Sequence, residues 1–161
     1  MRKARIHLFI LVFVFLFVSL AVAVDKSANA VEFKAELTGS AVVPPVKITA
    51  QGEATFELFK GERRMTYRLT VSDIENVTAA HIHMGEKGKN GPSVVVLFNG
   101  PQKAGKFSGK LSEGMITVDD LSGPLKGKPL RALVQMIDAG DAYVNVHTEK
   151  HPDGEIRGQI K

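Results

Sequence analysis

Short runs in which apolar and polar residues alternate recur along the chain, and Gly, Pro or Asn residues bound nearly all of them. A period of two puts successive side chains on opposite faces of an extended strand, so each run predicts a half-buried β-strand. Many short strands separated by turn residues are typical of sandwiches and small barrels. We therefore predict a mainly all-β fold, namely a Greek-key β-sandwich or small barrel of about eight strands.

The positions of these runs predict the strands and their connections. Gly61 lies in the turn between the second and third runs, which predicts a hairpin. Pro44 and Pro45 break the chain after the first run, because proline cannot donate a hydrogen bond to a sheet. The apolar positions of segment 129–139 fit a buried strand or one short helix, and we expect the helix, ending at Gly140. The predicted strands are residues 31–37, 54–58, 65–71, 77–84, 94–98, 106–111, 143–147 and 155–160.

The amino-terminal segment has the layout of an export signal. Basic residues near the start precede an uncharged apolar run at residues 8–24, and small residues suitable for cleavage follow. An uncleaved membrane anchor is the alternative, since the run is slightly shorter than the roughly 20 residues that usually span a bilayer. We predict that residues 1–30 are an export signal or N-terminal membrane anchor. Residues 31–161 then form one domain that is secreted, periplasmic or on the outer cell surface.

Charge and cysteine content exclude several classes of function. Four of the 21 Lys and Arg residues lie among the first 30 residues, against one of the 17 acidic residues. The predicted domain is therefore nearly neutral, and nucleic-acid binding loses its main support. The absence of Cys excludes disulfides, thiolate metal ligands and thiol catalysis. No nucleophile triad, paired-carboxylate signature or dinucleotide fingerprint stands out, so the sequence favours no enzyme class.

Every histidine of the predicted domain falls in one of two short segments. His81 and His83 flank Ile82, and His147 and His151 lie in the second segment. Residues two apart on a strand share a face, so both imidazoles of the first pair can reach one ion while Ile82 faces the core. If the two strands are neighbours, His147 joins that face. His151 then lies on a turn that can fold back over the other three.

Three or four neutral imidazoles are a suitable donor set for zinc or copper, whereas calcium and magnesium prefer oxygen ligands. We expect copper ahead of zinc, because a given nitrogen site binds copper more tightly. We predict a copper or zinc site at His81, His83, His147 and His151. Met84 faces the opposite side of its strand, which favours a core role over a ligand role. The alternative for the histidines is a polar or hydrogen-bonded surface without an ion.

Motifs distributed over the whole predicted domain carry a family resemblance. They occupy residues 37–39, 43–46, 79–85, 88–92, 94–97, 142–148 and 154–160, and the carboxyl-terminal motif is long and specific. In these stretches the chain resembles the CHRD family, the domain named after repeats in chordin. The resemblance implies an extracytoplasmic β domain whose biochemical role is poorly defined, linked in animals to the binding of secreted signalling proteins. It does not by itself imply an enzyme.

A looser similarity connects the chain to copper/zinc superoxide dismutase, a Greek-key β-barrel that uses a strand His-x-His for copper. It covers little beyond residues 81–83, a later histidine and the carboxyl-terminal strand. Four histidines cannot supply both a full copper site and a separate histidine-rich zinc site. Arg157 could steer anions toward a metal, but alternation with Ile156 favours an exposed strand residue.

Metal binding is therefore the first function that we predict from the sequence. The first alternative is a metal-free adhesion or protein-binding module with an extracellular protein partner. The second alternative is a copper-dependent enzyme similar to superoxide dismutase. Contact with a membrane is expected only through an uncleaved amino-terminal segment.

Overall fold

The computed structural model describes residues 30–59 and 64–161. The predicted export signal or anchor lies outside these residues except for Ala30, and Gly61 in the predicted hairpin turn also lies outside them. Within the described part of the chain, no helix combines the length and the apolar character needed to cross a membrane.

Seven strands, one α-helix and three single-turn 3₁₀-helices form the regular structure of the described residues. The predicted short helix in segment 129–139 is confirmed, and Gly140 follows it with a φ of 77°. This left-handed conformation favours glycine at the end of a helix. The elements are β1 (Ala30–Thr38), β2 (Gln51–Phe59), β3 (Met65–Met84), β4 (Ser93–Phe98), β5 (Lys103–Ile116), β6 (Ala142–Thr148), β7 (Ile156–Gln159), α1 (Arg131–Asp138) and the 3₁₀-helices Gly39–Ala41, Val118–Asp120 and Gly123–Leu125.

Five of the strands close into a small barrel. Their order is β3-β2-β1-β7-β6, and β6 pairs again with β3. At the β1–β7 seam, Thr38 pairs with Arg157, and the backbones of Lys34 and Lys161 exchange two hydrogen bonds. Strands β4 and β5 both pair with β3 outside this ring. All of these pairings are antiparallel, which confirms the predicted all-β class and small barrel.

Strand β3 is 20 residues long and merges two of the predicted strands. The sequence predicts separate strands at 65–71 and 77–84, but the chain passes through both without leaving the sheet. Asp73 and Asn76 each adopt a φ of 51°, and the pairing with β5 shifts register around them. Irregularities of this kind bend a strand and increase its twist, which suits a small barrel. The described residues therefore contain one strand fewer than predicted.

Apolar side chains that alternate along the strands fill the barrel interior. Fully buried examples are Leu69 and Ile82 on β3, Val144 on β6 and Ile156 on β7. The outer face of β6 and β7 is also buried, because residues 85–92, here called the cover segment, fold over it. The polar and aromatic residues buried on that outer face are Tyr143, Asn145 and Arg157.

Leu69→Ala should remove about 2–5 kcal/mol from the free energy of unfolding, because the interior cannot fully collapse around the deleted atoms. Leu69 is fully buried, whereas Val96 on β4 is 49% exposed. Val96→Ala is therefore the control and should change this free energy by less than about 0.5 kcal/mol. Urea titrations of both variants measure the difference. Equal losses in the two variants would contradict the assignment of the barrel interior.

Candidate metal centre

The register between β3 and β6 brings three histidines onto one face of the sheet. His81 lies directly opposite Asn145, and His83 lies directly opposite Tyr143. His147 follows Asn145 by two residues on β6 and so points to the same face. The two histidine-bearing strands are therefore neighbours in the sheet, as predicted.

The three imidazole rings form a compact cluster, here called the histidine triad. The ring centroids of His81 and His147 are 5.0 Å apart, and His83 lies 5.7 Å from each of them. Nδ1 of His81 is 3.1 Å from Nε2 of His147, and one ring nitrogen of each residue lies within 4.8 Å of the others. Zinc binds imidazole nitrogen at about 2.0–2.1 Å, so the nitrogens around one ion are about 3–4 Å apart. The distance between Nδ1 of His81 and Nε2 of His147 falls within this range, and the set of three nitrogens spans at most 4.8 Å.

Backbone carbonyls fix the hydrogen positions on two of the rings. Nδ1–H of His83 donates to the carbonyl of Gly91 at 2.9 Å, and Nδ1–H of His147 donates to the carbonyl of Pro152 at 2.8 Å. In a neutral ring the other nitrogen then carries a lone pair. Nε2 of His83 is buried and has no hydrogen-bond partner. A buried acceptor without a donor, beside two further imidazoles, fits the requirement of a metal ligand.

Burial keeps the triad uncharged. Desolvation lowers the pKa of His81 to about 4, and His147 and His83 add to this effect. Burial also lowers the pKa of His83, although the hydrogen bond to Gly91 opposes the shift. Burial lowers the pKa of His147 in turn, against the opposing effects of the Pro152 carbonyl and a nearby carboxylate. The rings are therefore neutral near pH 7, which is the form that binds metals.

Arg157 on β7 holds the cover segment over this face. Its guanidinium donates to the carbonyls of Glu86 and Lys89 at 3.1 and 2.8 Å and to Oδ1 of Asn90 at 3.0 Å. The residue is only 2% exposed. The prediction that Arg157 is an exposed strand residue is therefore wrong. Strand alternation places its side chain outside the barrel correctly, but alternation gives no sign of a loop that folds over the outer face.

Tyr143 connects the triad to the cover segment and to Arg157. Its ring stacks on His83 with the centroids 5.1 Å apart and an angle of 14° between the planes. The guanidinium carbon of Arg157 lies 3.4 Å from the centre of the same tyrosine ring. The hydroxyl oxygen of Tyr143 accepts a hydrogen bond from the backbone N–H of Gly91 at 3.1 Å. These contacts restrict the orientation of the His83 ring.

Asn145 carries a second buried polar atom without a partner. Its Nδ2 donates to the carbonyl of Asp153 at 2.9 Å, whereas its Oδ1 is buried and has no donor. Gly154 lies against this amide so closely that a Cβ atom there would overlap it. The sequence pattern does not identify Asn145 as a site residue. Strand parity with His147 predicts which face of β6 Asn145 occupies. That its Oδ1 lacks a hydrogen-bond donor is evident only in the three-dimensional structure.

His151, the fourth predicted ligand, lies outside the histidine triad. Its backbone shapes the turn after β6, where its N–H donates to Oγ1 of Thr148 and its carbonyl accepts from Gly154. The residue lines a separate cavity together with Asp73 and Glu155. The turn therefore does not fold His151 back over the other three histidines as expected. A hydrogen-bonded turn fixes the backbone direction, and strand parity cannot predict that direction.

Comparisons with known proteins support the family resemblance. The model of the CHRD domain family matches residues 33–160. Chordin from Xenopus laevis is 30% identical over an aligned length of 132 residues, and the alignment covers 77% of this chain and 12% of Chordin. The chain therefore spans only a small part of this relative. No solved structure matches the chain.

The metal-free protein should lose stability as the pH falls from about 6.5 towards 4. In the unfolded chain a histidine takes up a proton near pH 6.5, whereas burial lowers the pKa of folded His81 to about 4. The unfolded state therefore binds more protons in this window, and the free energy of unfolding rises with pH. Urea titrations across the window should give a flatter profile for His81→Gln than for the native chain. His151→Gln, outside the triad, is the control, and a native profile in His81→Gln would contradict the prediction.

Arg157→Gln should lower the free energy of unfolding by about 2–4 kcal/mol, because the change removes several charge-assisted hydrogen bonds and leaves their acceptors without a donor. Arg68→Gln is the control, since that side chain is 58% exposed and pairs with Glu113 on the surface. The control should lose at most about 1 kcal/mol. Urea titration measures both. A loss in Arg157→Gln no larger than in Arg68→Gln would contradict the anchoring role.

Proposed function

The chain belongs to the CHRD domain family, and we propose that it is an extracytoplasmic domain that binds one transition-metal ion, copper or zinc, through His81, His83 and His147. The single observation that carries the proposal is the buried, unpartnered Nε2 of His83 beside the other two rings. A buried acceptor of this kind costs free energy unless a donor or a cation satisfies it. A metal ion at the triad would satisfy it.

The chemistry of the donors supports a transition metal. All three donors are imidazole nitrogens, which copper and zinc accept readily and which calcium and magnesium bind poorly. The carbonyls of Gly91 and Pro152 accept hydrogen bonds from the Nδ1–H groups of His83 and His147. Such outer hydrogen bonds orient ligand rings and increase their basicity. When bound, copper or zinc would supply a Lewis-acidic centre at this face.

Three protein ligands leave room for one small exogenous ligand. Four-coordinate sites that have three protein ligands hold water in the fourth position. Asn145 lies directly opposite His81, and its Oδ1 lacks a donor. The polar side chain of Asn145 therefore lies on the same face of the sheet as the triad.

The predicted export signal supports the extracytoplasmic location. Residues 1–30 have the basic and apolar layout that directs a chain to or across a membrane. The similarity to Chordin agrees with a domain that works outside the cytoplasm. Secreted, periplasmic and surface-anchored forms all fit this proposal. An extracellular protein partner belongs to the same proposal and rests on the family relationship.

No specific contact favours the dismutase-like alternative over binding alone. Within residues 30–59 and 64–161, the histidine triad is the one cluster of three or more His, Asp or Glu side chains with metal-binding geometry. Arg157 is committed to the cover segment. The proposed function is therefore binding of a metal ion, with no reaction assigned to it.

The double variant His81→Ala with His83→Ala should lose stoichiometric binding of Cu(II) and Zn(II), because it removes two of the three ligands. Untagged protein is titrated with each metal by calorimetry, and the bound metal is measured by elemental analysis after dialysis. We expect about one ion per native chain. His151→Ala, outside the triad, is the control and should bind metal as the native chain does.

A second variant protects this test against misfolding. His83→Gln removes one ligand but keeps a polar side chain of similar size, and circular dichroism checks that it retains the native fold. Its metal affinity should fall at least about tenfold. Undiminished uptake by the folded His83→Gln and double variants would refute the site. Absence of uptake by the native chain would refute it as well.

A further inference from the structure

A cavity of about 510 Å³ lies beside the cover segment, and none of the triad histidines lines it. Strand β1 and the loop after it form one wall, and β7 with Lys87 of the cover segment forms the other. Neither the metal proposal nor the family relationship assigns a role to this cavity. Its size suits a molecule of one small ring with a substituent.

The charges around this cavity are strongly unbalanced. Lys34, Lys87 and Lys161 line it together with Arg157, and Glu36 supplies the one acidic side chain among the described lining residues. The lysines are exposed, so their ammonium groups can turn toward a ligand. A concave surface lined by charges of one sign concentrates ligands of the opposite sign. The cavity therefore favours an anion.

Arg157 is an unusual member of this lining because its charge is buried without a counter-ion. Its hydrogen-bond acceptors are two backbone carbonyls and the amide oxygen of Asn90, all of them neutral. No carboxylate in the described residues forms an ion pair with it. Removing a charge from water costs free energy unless an opposite charge compensates. An external anion in the cavity would supply that compensation.

The part of the wall that the loop after β1 forms is apolar. Val42, Val43 and Pro45 line it, and Val42 is itself buried. A purely inorganic anion would leave this wall in contact with water, whereas an apolar group on the anion would cover it. Burial of this apolar surface would contribute favourably to binding. The two kinds of surface therefore fit one ligand with an anionic end and an apolar body.

We propose that this cavity binds a small organic anion, with its carboxylate or phosphate group among Lys34, Lys87 and Lys161 beside Arg157 and its apolar body against Val42, Val43 and Pro45. The site is separate from the proposed metal centre, since no triad residue lines it. Lys87 belongs to the cover segment that Arg157 holds, so the anion would add a second anchor to that segment. The ligand class follows from charge and shape alone.

The test titrates the metal-free protein with four probes by calorimetry and by amide NMR. Phenyl phosphate and benzoate carry both proposed parts, benzyl alcohol carries only the apolar ring, and inorganic phosphate carries only the charge. At least one of the first two should bind about tenfold more tightly than both single-feature probes. Its binding should shift the amide resonances of Gly88 and Gly158, which line the cavity. Equal affinity for all probes, or no saturable binding, would overturn the proposal.

Surface variants locate the binding and keep the fold intact. The double variant Lys34→Gln with Lys87→Gln should lower the affinity for the more tightly bound probe about tenfold, since two charge-assisted contacts are lost. Glu36→Gln should raise the affinity for the same probe up to about fivefold, because this change removes the opposing carboxylate. Lys128→Gln is the control, since Lys128 is exposed and does not line the cavity. Loss of binding in Lys128→Gln equal to that in the double variant would also overturn the proposal.

Discussion

The register between β3 and β6 is the constraint on which both the core and the candidate metal centre depend. Ile82 pairs with Val144 and faces the barrel interior, while the flanking His81 and His83 face outward. A slip of one residue would move every side chain of a strand to the other face, with imidazoles in the interior and Ile82 outside. The free energy of burying the apolar residues therefore also fixes the positions of the histidines. The protein needs no bound ion to bring the three rings together.

Arg157, a buried cation, holds the cover segment in place above the histidines. The planar guanidinium of Arg157 reaches three acceptors of the cover segment at once and lies against Tyr143, a combination that an ammonium group could not reproduce. The cover segment removes water from the triad, and desolvation is the largest cause of each lowered histidine pKa. The charge of Arg157 further lowers the pKa of His83. Arg157 therefore helps to keep His83 in its neutral form.

Sequence periodicity was sufficient to predict local features and insufficient for those that depend on loop direction. The alternation around Ile82 and Val144 gives the faces of β3 and β6 correctly, because parity is a property of any extended strand. The same reasoning separates β3 into two strands, since it cannot anticipate that Asp73 adopts a positive φ within the sheet. The positions of Arg157 and His151 depend on the cover segment and on the turn after β6. Both are tertiary features that leave no periodic signal in the sequence.

The hydrogen bonds of the metal-free triad indicate how little would have to change when a cation enters. Nδ1 of His81 and Nε2 of His147 are 3.1 Å apart, too close for two lone pairs to face each other, so a hydrogen lies between them. His147 already uses its own N–H on Pro152, and the shared hydrogen therefore belongs to His81. A cation between these two nitrogens would displace this one hydrogen bond, which is worth about 0.5–1.5 kcal/mol net, and the hydrogen of His81 would move from Nδ1 to Nε2. Nε2 of His83 has no bond to lose, and both carbonyl hydrogen bonds can remain. Three histidines on an open strand pair would first have to lose water and fix their ring orientations. Here the fold has already met both requirements, which lowers the free-energy cost of binding a metal ion.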